Sequence, residues 1–192
     1  MGGSIEEREI IQKILSGQPE AYEALVRKHH IKMVRLCTFL LSNSADGEDA
    51  AQEIFLKAYR SLHQFRGEAA FSTWLHRITV NHCTDLMRAR SRRDIESWEE
   101  LAQREGDKLN QLLSEPSNPH QRLEASDLIE RVLSHMPLKY KTVLVLREVQ
   151  GLDYREIAGV LGCSVESVRA QLRRARENFK EKMRHFLGND DV

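Results

Sequence analysis

This 192-residue chain has no net charge, with 29 lysines and arginines against 29 aspartates and glutamates. A uniformly basic surface is therefore excluded, and any anion-binding face has to be built locally. Cysteine is scarce as well: Cys37, Cys83 and Cys163 are odd in number, far apart and without a Cys-x-x-Cys. That suits a reducing compartment better than a disulfide framework. His29, His30, His82 and Cys83 lack zinc-site spacing, so no metal or cofactor is expected. No apolar run approaches the roughly 20 residues of a membrane-spanning helix. "MGGSIEEREI" lacks the basic flank and apolar stretch of a signal peptide, and Glu6 stands where a myristoylation pattern needs Ser or Thr. The expectation is a soluble, cytoplasmic protein. A Gly-rich phosphate loop, a grouped Ser/His/Asp set and a carboxylate pair in an apolar setting are all missing, so no enzyme is expected.

What is present is helical periodicity. With 41% hydrophobic residues the chain can bury a core, and its apolar residues recur at three and four positions rather than alternating. Tyr22, Leu25, Val26, Met33, Leu36, Cys37 and Leu40 share one face. After the breaker "SNSADG", a second stripe holds Ala51, Ile54, Phe55, Ala58, Leu62 and Phe65. A third begins near "AAFSTW" and ends in the basic "MRARSRR". Residues 94–127 then carry nine acids against three bases, with Pro116 and Pro119 opposing continuous helix. The expected fold is all-α: two small helical domains, 1–93 and 128–192, joined by a flexible acidic linker over 94–127.

The second domain holds the strongest local signal. Arg169, Arg173, Arg174 and Arg176 fall within eight residues, and from Arg169 to Arg184 seven bases face two acids. Such a face is often only solvated. Here, however, Asp153 and Glu156 form a capping-box pattern before the short helix "YREIAGVLG", Gly162 permits a turn, and Ser164 is placed to cap a longer helix. Short helix, tight turn and long helix is a helix-turn-helix layout. One stripe of the long helix (Val168, Leu172, Ala175) is set to pack, and the next is set to meet DNA. Ser164, Ser167, Arg169, Gln171, Arg173 and Arg174 stand nearest the major groove in that geometry, while Arg176, Lys180 and Arg184 fall along the phosphates.

Two stretches in the same order carry a family resemblance. "DGEDAAQEIFLKAYRSLHQFRGEAAFSTWLHRITVNHCTDLMRARSRR", from Asp46 to Arg93, resembles region two of the extracytoplasmic-function sigma factors of bacterial RNA polymerase. "GLDYREIAGVLGCSVESVRAQLRRAR" resembles their region four. The resemblance implies a promoter-recognition subunit that binds core RNA polymerase through its clamp coiled coil and flap. Asp49, Gln52, Glu53 and Phe55 match the clamp-docking surface, although the apolar stripe also claims Phe55 for the core. Phe65 to Asn81 matches the segment that meets the opened minus-ten element, where amides read bases and cations follow phosphates. Arg77, Asn81 and His82 fall in or next to it, with Arg88, Arg90 and Arg92 beyond. Phe71 and Trp74 read either as core or as stacking platforms. Region four implies minus-thirty-five recognition, and an anti-sigma factor is an expected partner. An autonomous helix-turn-helix regulator with a helical partner-binding domain, and a helical adaptor, are the alternatives.

Overall fold

The computed structural model describes residues 5–90, 129 and 131–186, so the acidic linker lies outside it. Among the described residues every regular element is helical. The first bundle contains α1 (Ile5–Leu15), α2 (Tyr22–Leu41), α3 (Ser44–Ser61) and α4 (Phe71–Arg90). The sequence pattern did not single out α1. It is pinned to α2 by Ile11 in the core and by Glu7, whose carboxylate lies 3.0 Å from His29 Nε2 and 3.0 Å from Lys28 Nζ.

The connection from α2 to α3 is short because two residues do the turning. Ser42 takes a left-handed conformation, φ 53°, and closes α2. Asn43 is extended, and its side-chain oxygen accepts the Asp46 N–H at 3.0 Å. Helix α3 therefore starts inside "SNSADG" rather than after it, since an asparagine cap satisfies N–H groups that a breaker would leave open. Gly47 faces α2, and a Cβ there would lie 2.8 Å from Thr38 Cα and N. Only glycine permits this crossing, which sets the position of α3.

Leu25, Leu36, Cys37, Ile54, Ala58, Phe71, Leu75 and Cys83 fill the core of this bundle. Phe65 meets Phe71 edge-on at 5.8 Å, and Trp74 lies 5.4 Å from Phe65 and 5.7 Å from Phe71. Phe71 is thus core and Trp74 packs on it.

The second bundle begins with helical residues 131–134. Pro137 then starts α5 (Leu138–Leu144), and its carbonyl accepts the N–H groups of Tyr140 and Lys141. A π-helical turn, Val145–Val149, follows and is closed by Gln150 N–H on Val145 O at 3.1 Å. Helices α6 (Tyr154–Leu161) and α7 (Val165–Phe186) complete the bundle.

The two bundles share one continuous core. Lys141 is only 1% exposed and donates to Ser42 Oγ at 2.8 Å. Gln150 Nε2 donates to the Lys32 carbonyl at 3.3 Å, and its Oε1 lies 3.5 Å from Nε2 of the buried His76. Helix α6 crosses α4 where Gly159 faces Thr73. No described helix is long and apolar enough to cross a membrane.

Two predictions follow from this packing. Gly47→Ala should destabilise the chain by about 2 kcal/mol or more, because the new methyl group meets backbone rather than a movable side-chain tip; urea unfolding measures it. Burial holds His29, His76 and His82 below the usual histidine range. Their unfolded forms take up protons first, so stability should be full above about pH 6.5 and fall as pH drops below it, by up to about 1.4 kcal/mol per group per pH unit. Unfolding free energies measured from pH 7.5 to 5.5 read that slope.

Candidate DNA and polymerase interfaces

The α6–α7 unit is built by its caps. Asp153 Oδ1 accepts the N–H groups of Arg155 and Glu156, each at 2.8 Å, and Glu156 Oε2 accepts the Asp153 N–H at 2.8 Å. Gly162, φ 63°, ends α6, and the Cys163 N–H returns to the Ala158 carbonyl at 3.1 Å. Ser164 Oγ then accepts the Ser167 N–H at 3.1 Å and caps α7. Val168, Leu172 and Ala175 are buried with Ile157 and Val160, which fixes the rotation of α7 about its axis. Its other face must therefore point outward.

Arg169, Arg173, Arg174 and Lys180 are exposed on that face. Among the described residues Arg173 has one loose partner, Glu177 at 4.0 Å. Gln171 is half-buried and donates to Ser167 Oγ at 2.9 Å, so both polar tips are held on the helix surface. Arg176 differs: its Nη2 meets Glu148 Oε1 at 2.8 Å, and that partner raises its pKa. The π-helical turn thereby ties itself to α7. Sequence spacing missed Tyr154, at the first residue of α6. The Arg147 guanidinium lies over its ring at 5.2 Å and that of Arg169 at 5.9 Å. Its only signal in the sequence was its place directly after the Asp153 cap.

On α4, Arg77, Asn81 and Arg88 are exposed, with Arg77 and Asn81 one turn apart. Arg88 lies 3.9 Å from Asp85. Arg90 is the last residue of α4, and Arg92 is outside the described residues. His82 does not join the exposed set. It is 7% exposed, with Nδ1 bonded to Lys57 Nζ and Nε2 at 3.3 Å from Glu53 Oε2. Its ring fills the seam between α3 and α4. Burial, followed by the Lys57 charge, pushes its pKa down. Its ring packs between Lys57 and Glu53 and bonds Lys57.

On α3, Asp49, Gln52 and Glu53 are exposed, and helical spacing puts them on one face. Phe55 is not on it. At 6% exposure it belongs to the core, stacked under His30 at 6.1 Å, while its carbonyl accepts the Tyr22 hydroxyl at 2.7 Å. The exposed apolar group within that acid-and-amide rim is Leu56, 57% exposed, which follows Asp49, Gln52 and Glu53 by seven, four and three residues. Ile31 of α2 is also strongly exposed.

Comparison with known proteins covers both bundles. A family model described as Sigma-70 region 2 matches residues 25–93, and one described as Sigma-70, region 4 matches residues 126–179. The chain is 33% identical over 185 residues to the RNA polymerase sigma-H factor of Pseudomonas aeruginosa, covering 95% of this chain and 96% of that protein. It is also 33% identical over 190 residues to the ECF RNA polymerase sigma-E factor of Escherichia coli K12, covering 97% and 99%. Its fold is similar to CnrH solved in complex with the cytosolic domain of CnrY, with a TM-score of 0.68, 24% identity and coverage of 96% and 98%. The sigma factor RpoE of Bartonella quintana, solved with the anti-sigma factor NepR, matches with a TM-score of 0.60, 18% identity and coverage of 88% and 98%.

Proposed function

The chain belongs to the sigma-70 family, as an extracytoplasmic-function sigma factor that directs promoter-specific transcription initiation, and on that footing we propose how its parts divide the task. Helix α7 enters the major groove of the minus-thirty-five element. Gln171, Arg173 and Arg174 face base edges there, with Arg169 and Lys180 on phosphate and Ser164 and Ser167 ordering the entry turn. The observation that carries this reading is the capped α6–α7 unit itself, whose buried stripe forces a basic face outward in a chain of zero net charge. Helix α4 presents Arg77 and Asn81 to the opened minus-ten strand, with Arg88, Arg90 and Arg92 following its phosphates.

Core RNA polymerase docks on the α3 face, where Asp49, Gln52 and Glu53 surround Leu56 and suit a basic, partly apolar helical partner. The polymerase flap takes a second place. An apolar hollow of about 270 Å³ lies between Ile129, Leu133, the π-helical turn and α7, with Val145 and Phe179 also in its wall. The chemistry of RNA synthesis stays with the polymerase. CnrH and the Bartonella RpoE were each solved with a second protein, CnrY and the anti-sigma factor NepR. By analogy this chain is held inactive by an anti-sigma factor covering the α3 face, and it works in the cytoplasm where promoter DNA lies.

Reading both elements requires the bundles to part. About 25 base pairs separate elements named minus ten and minus thirty-five, or roughly 85 Å at about 3.4 Å per pair, whereas here α4 and α6 touch. The Lys141–Ser42 bond and the Gln150 contacts therefore open when the polymerase engages a promoter.

With reconstituted holoenzyme and a library of minus-thirty-five sequences, Arg173→Ala and Gln171→Ala should each relax preference at individual positions by about 1–3 kcal/mol. Lys180→Ala should weaken all sequences alike and lower the salt slope by about one. Identical behaviour of the three variants would place the groove on another face of α7. Leu56→Glu should weaken binding to core polymerase at least tenfold with an unchanged melting temperature. A footprint from the chain alone, unaltered by polymerase, would favour an autonomous regulator.

A further inference from the structure

The residues around Tyr154 form a cationic cluster at the edge of the base-reading face. Arg147 comes from the π-helical turn, Tyr154 from α6, and Arg169, Arg173, Arg176 and Lys180 from α7, so three elements separated in sequence converge. A hollow of about 280 Å³ opens between Tyr154 and the α7 cations. Arg147 Nη1 is fixed by the Leu152 carbonyl at 2.8 Å, which holds its guanidinium over one part of the ring while Arg169 approaches from α7.

The choice of an aromatic residue here has a chemical consequence. A carboxylate would order these guanidiniums but cancel their charge, as Glu148 does in part for Arg176. An aromatic face holds a guanidinium plane by cation–π attraction and leaves its charge and its outward N–H donors available. The hollow is lined by four cations and one acid, Glu177, which already lies beside Arg173, and Arg147 reaches the same Tyr154 ring from the π-helical turn. What suits the site is a compact monoanion with several acceptor oxygens.

We propose that Tyr154 is a positioning residue that stacks Arg147 and Arg169 into a clamp for one backbone phosphate at the edge of the minus-thirty-five interface. The proposal rests on the reading of α7 as the major-groove helix. Arg147 and Arg169 contact the phosphate, and Tyr154 acts through them. The clamp fixes the depth and register of α7 on the duplex and carries no sequence preference of its own.

The test uses the full chain with core polymerase on a promoter duplex, titrated over a series of potassium chloride concentrations. A second set of duplexes carries a neutral methylphosphonate at one backbone position at a time. Tyr154→Leu should weaken binding about threefold to tenfold for every minus-thirty-five sequence and lower the salt slope by about one. One methylphosphonate position should penalise the native chain and Tyr154→Phe, which keeps the ring, but should not penalise Tyr154→Leu further. An unchanged salt slope in Tyr154→Leu, or a methylphosphonate profile identical to the native one, overturns the clamp. If Tyr154→Leu does not fold, the double variant Arg147→Gln, Arg169→Gln carries the same phosphate scan with the same expected and opposing outcomes. If Gln171→Ala and Arg173→Ala change base preference while the phosphate profile of Tyr154→Leu stays native, the clamp fails and the reading of α7 stands. If neither changes preference, the reading of α7 has failed.

Discussion

A lysine ammonium at 1% exposure is the joint on which this arrangement turns. Removing such a charge from water costs several kcal/mol unless the protein supplies partners. Lys141 reaches across from the second bundle to a hydroxyl, Ser42 Oγ, at the end of α2. Ser42 is also the left-handed residue that ends α2, one position before the Asn43 cap of α3. A single short turn thus sets α3 in one bundle and receives the buried Lys141 of the other. The tight crossing at Gly47 follows within a turn of helix and holds that geometry.

The polar character of the joint suits a connection that has to open. Lys141, Ser42, Gln150 and His76 can all regain hydrogen bonds from water when the bundles separate, so each contact nets only a modest stabilisation. An apolar interface of the same extent would resist opening more strongly. The closed chain already exposes the basic face of α7 and the rim around Leu56. What closure withholds is the distance between the two readers. In the division of the task proposed above, polymerase and promoter together supply the binding energy that resolves this, each engaging a face preformed on a rigid helix.

Much of this was legible in the residues because its determinants are local. Asp153, Glu156, Gly162 and Ser164 act within three or four positions, and all four do in the structure what their spacing implied. The stripe of Val168, Leu172 and Ala175 is likewise a one-helix property, so the outward face of α7 was readable from it. Features that depend on a second element were not. His82 looked like a DNA-facing group until α3 placed Lys57 and Glu53 against its ring. Phe55 satisfied both the apolar stripe and the docking motif, and only burial under His30 decided for the core and passed the exposed position to Leu56. Lys141, in the run "KYKTVLVL", gave no sign that a charge would be buried between bundles. Tyr154 depends on arginines 7 positions before it and 15 after it, brought together by a π-helical turn that has no sequence signature.

The distance between the bundles tests the account most directly. Fluorescent probes at the exposed Gln12 and Glu181, with Cys163 replaced by Ser, report it by energy transfer. A chain of this length packed as one body has a radius of gyration of about 16 Å, so transfer should be efficient in the free protein. It should collapse when core polymerase and promoter DNA are both bound, with transcription starting specifically. Efficient transfer persisting in an actively initiating complex would contradict the account.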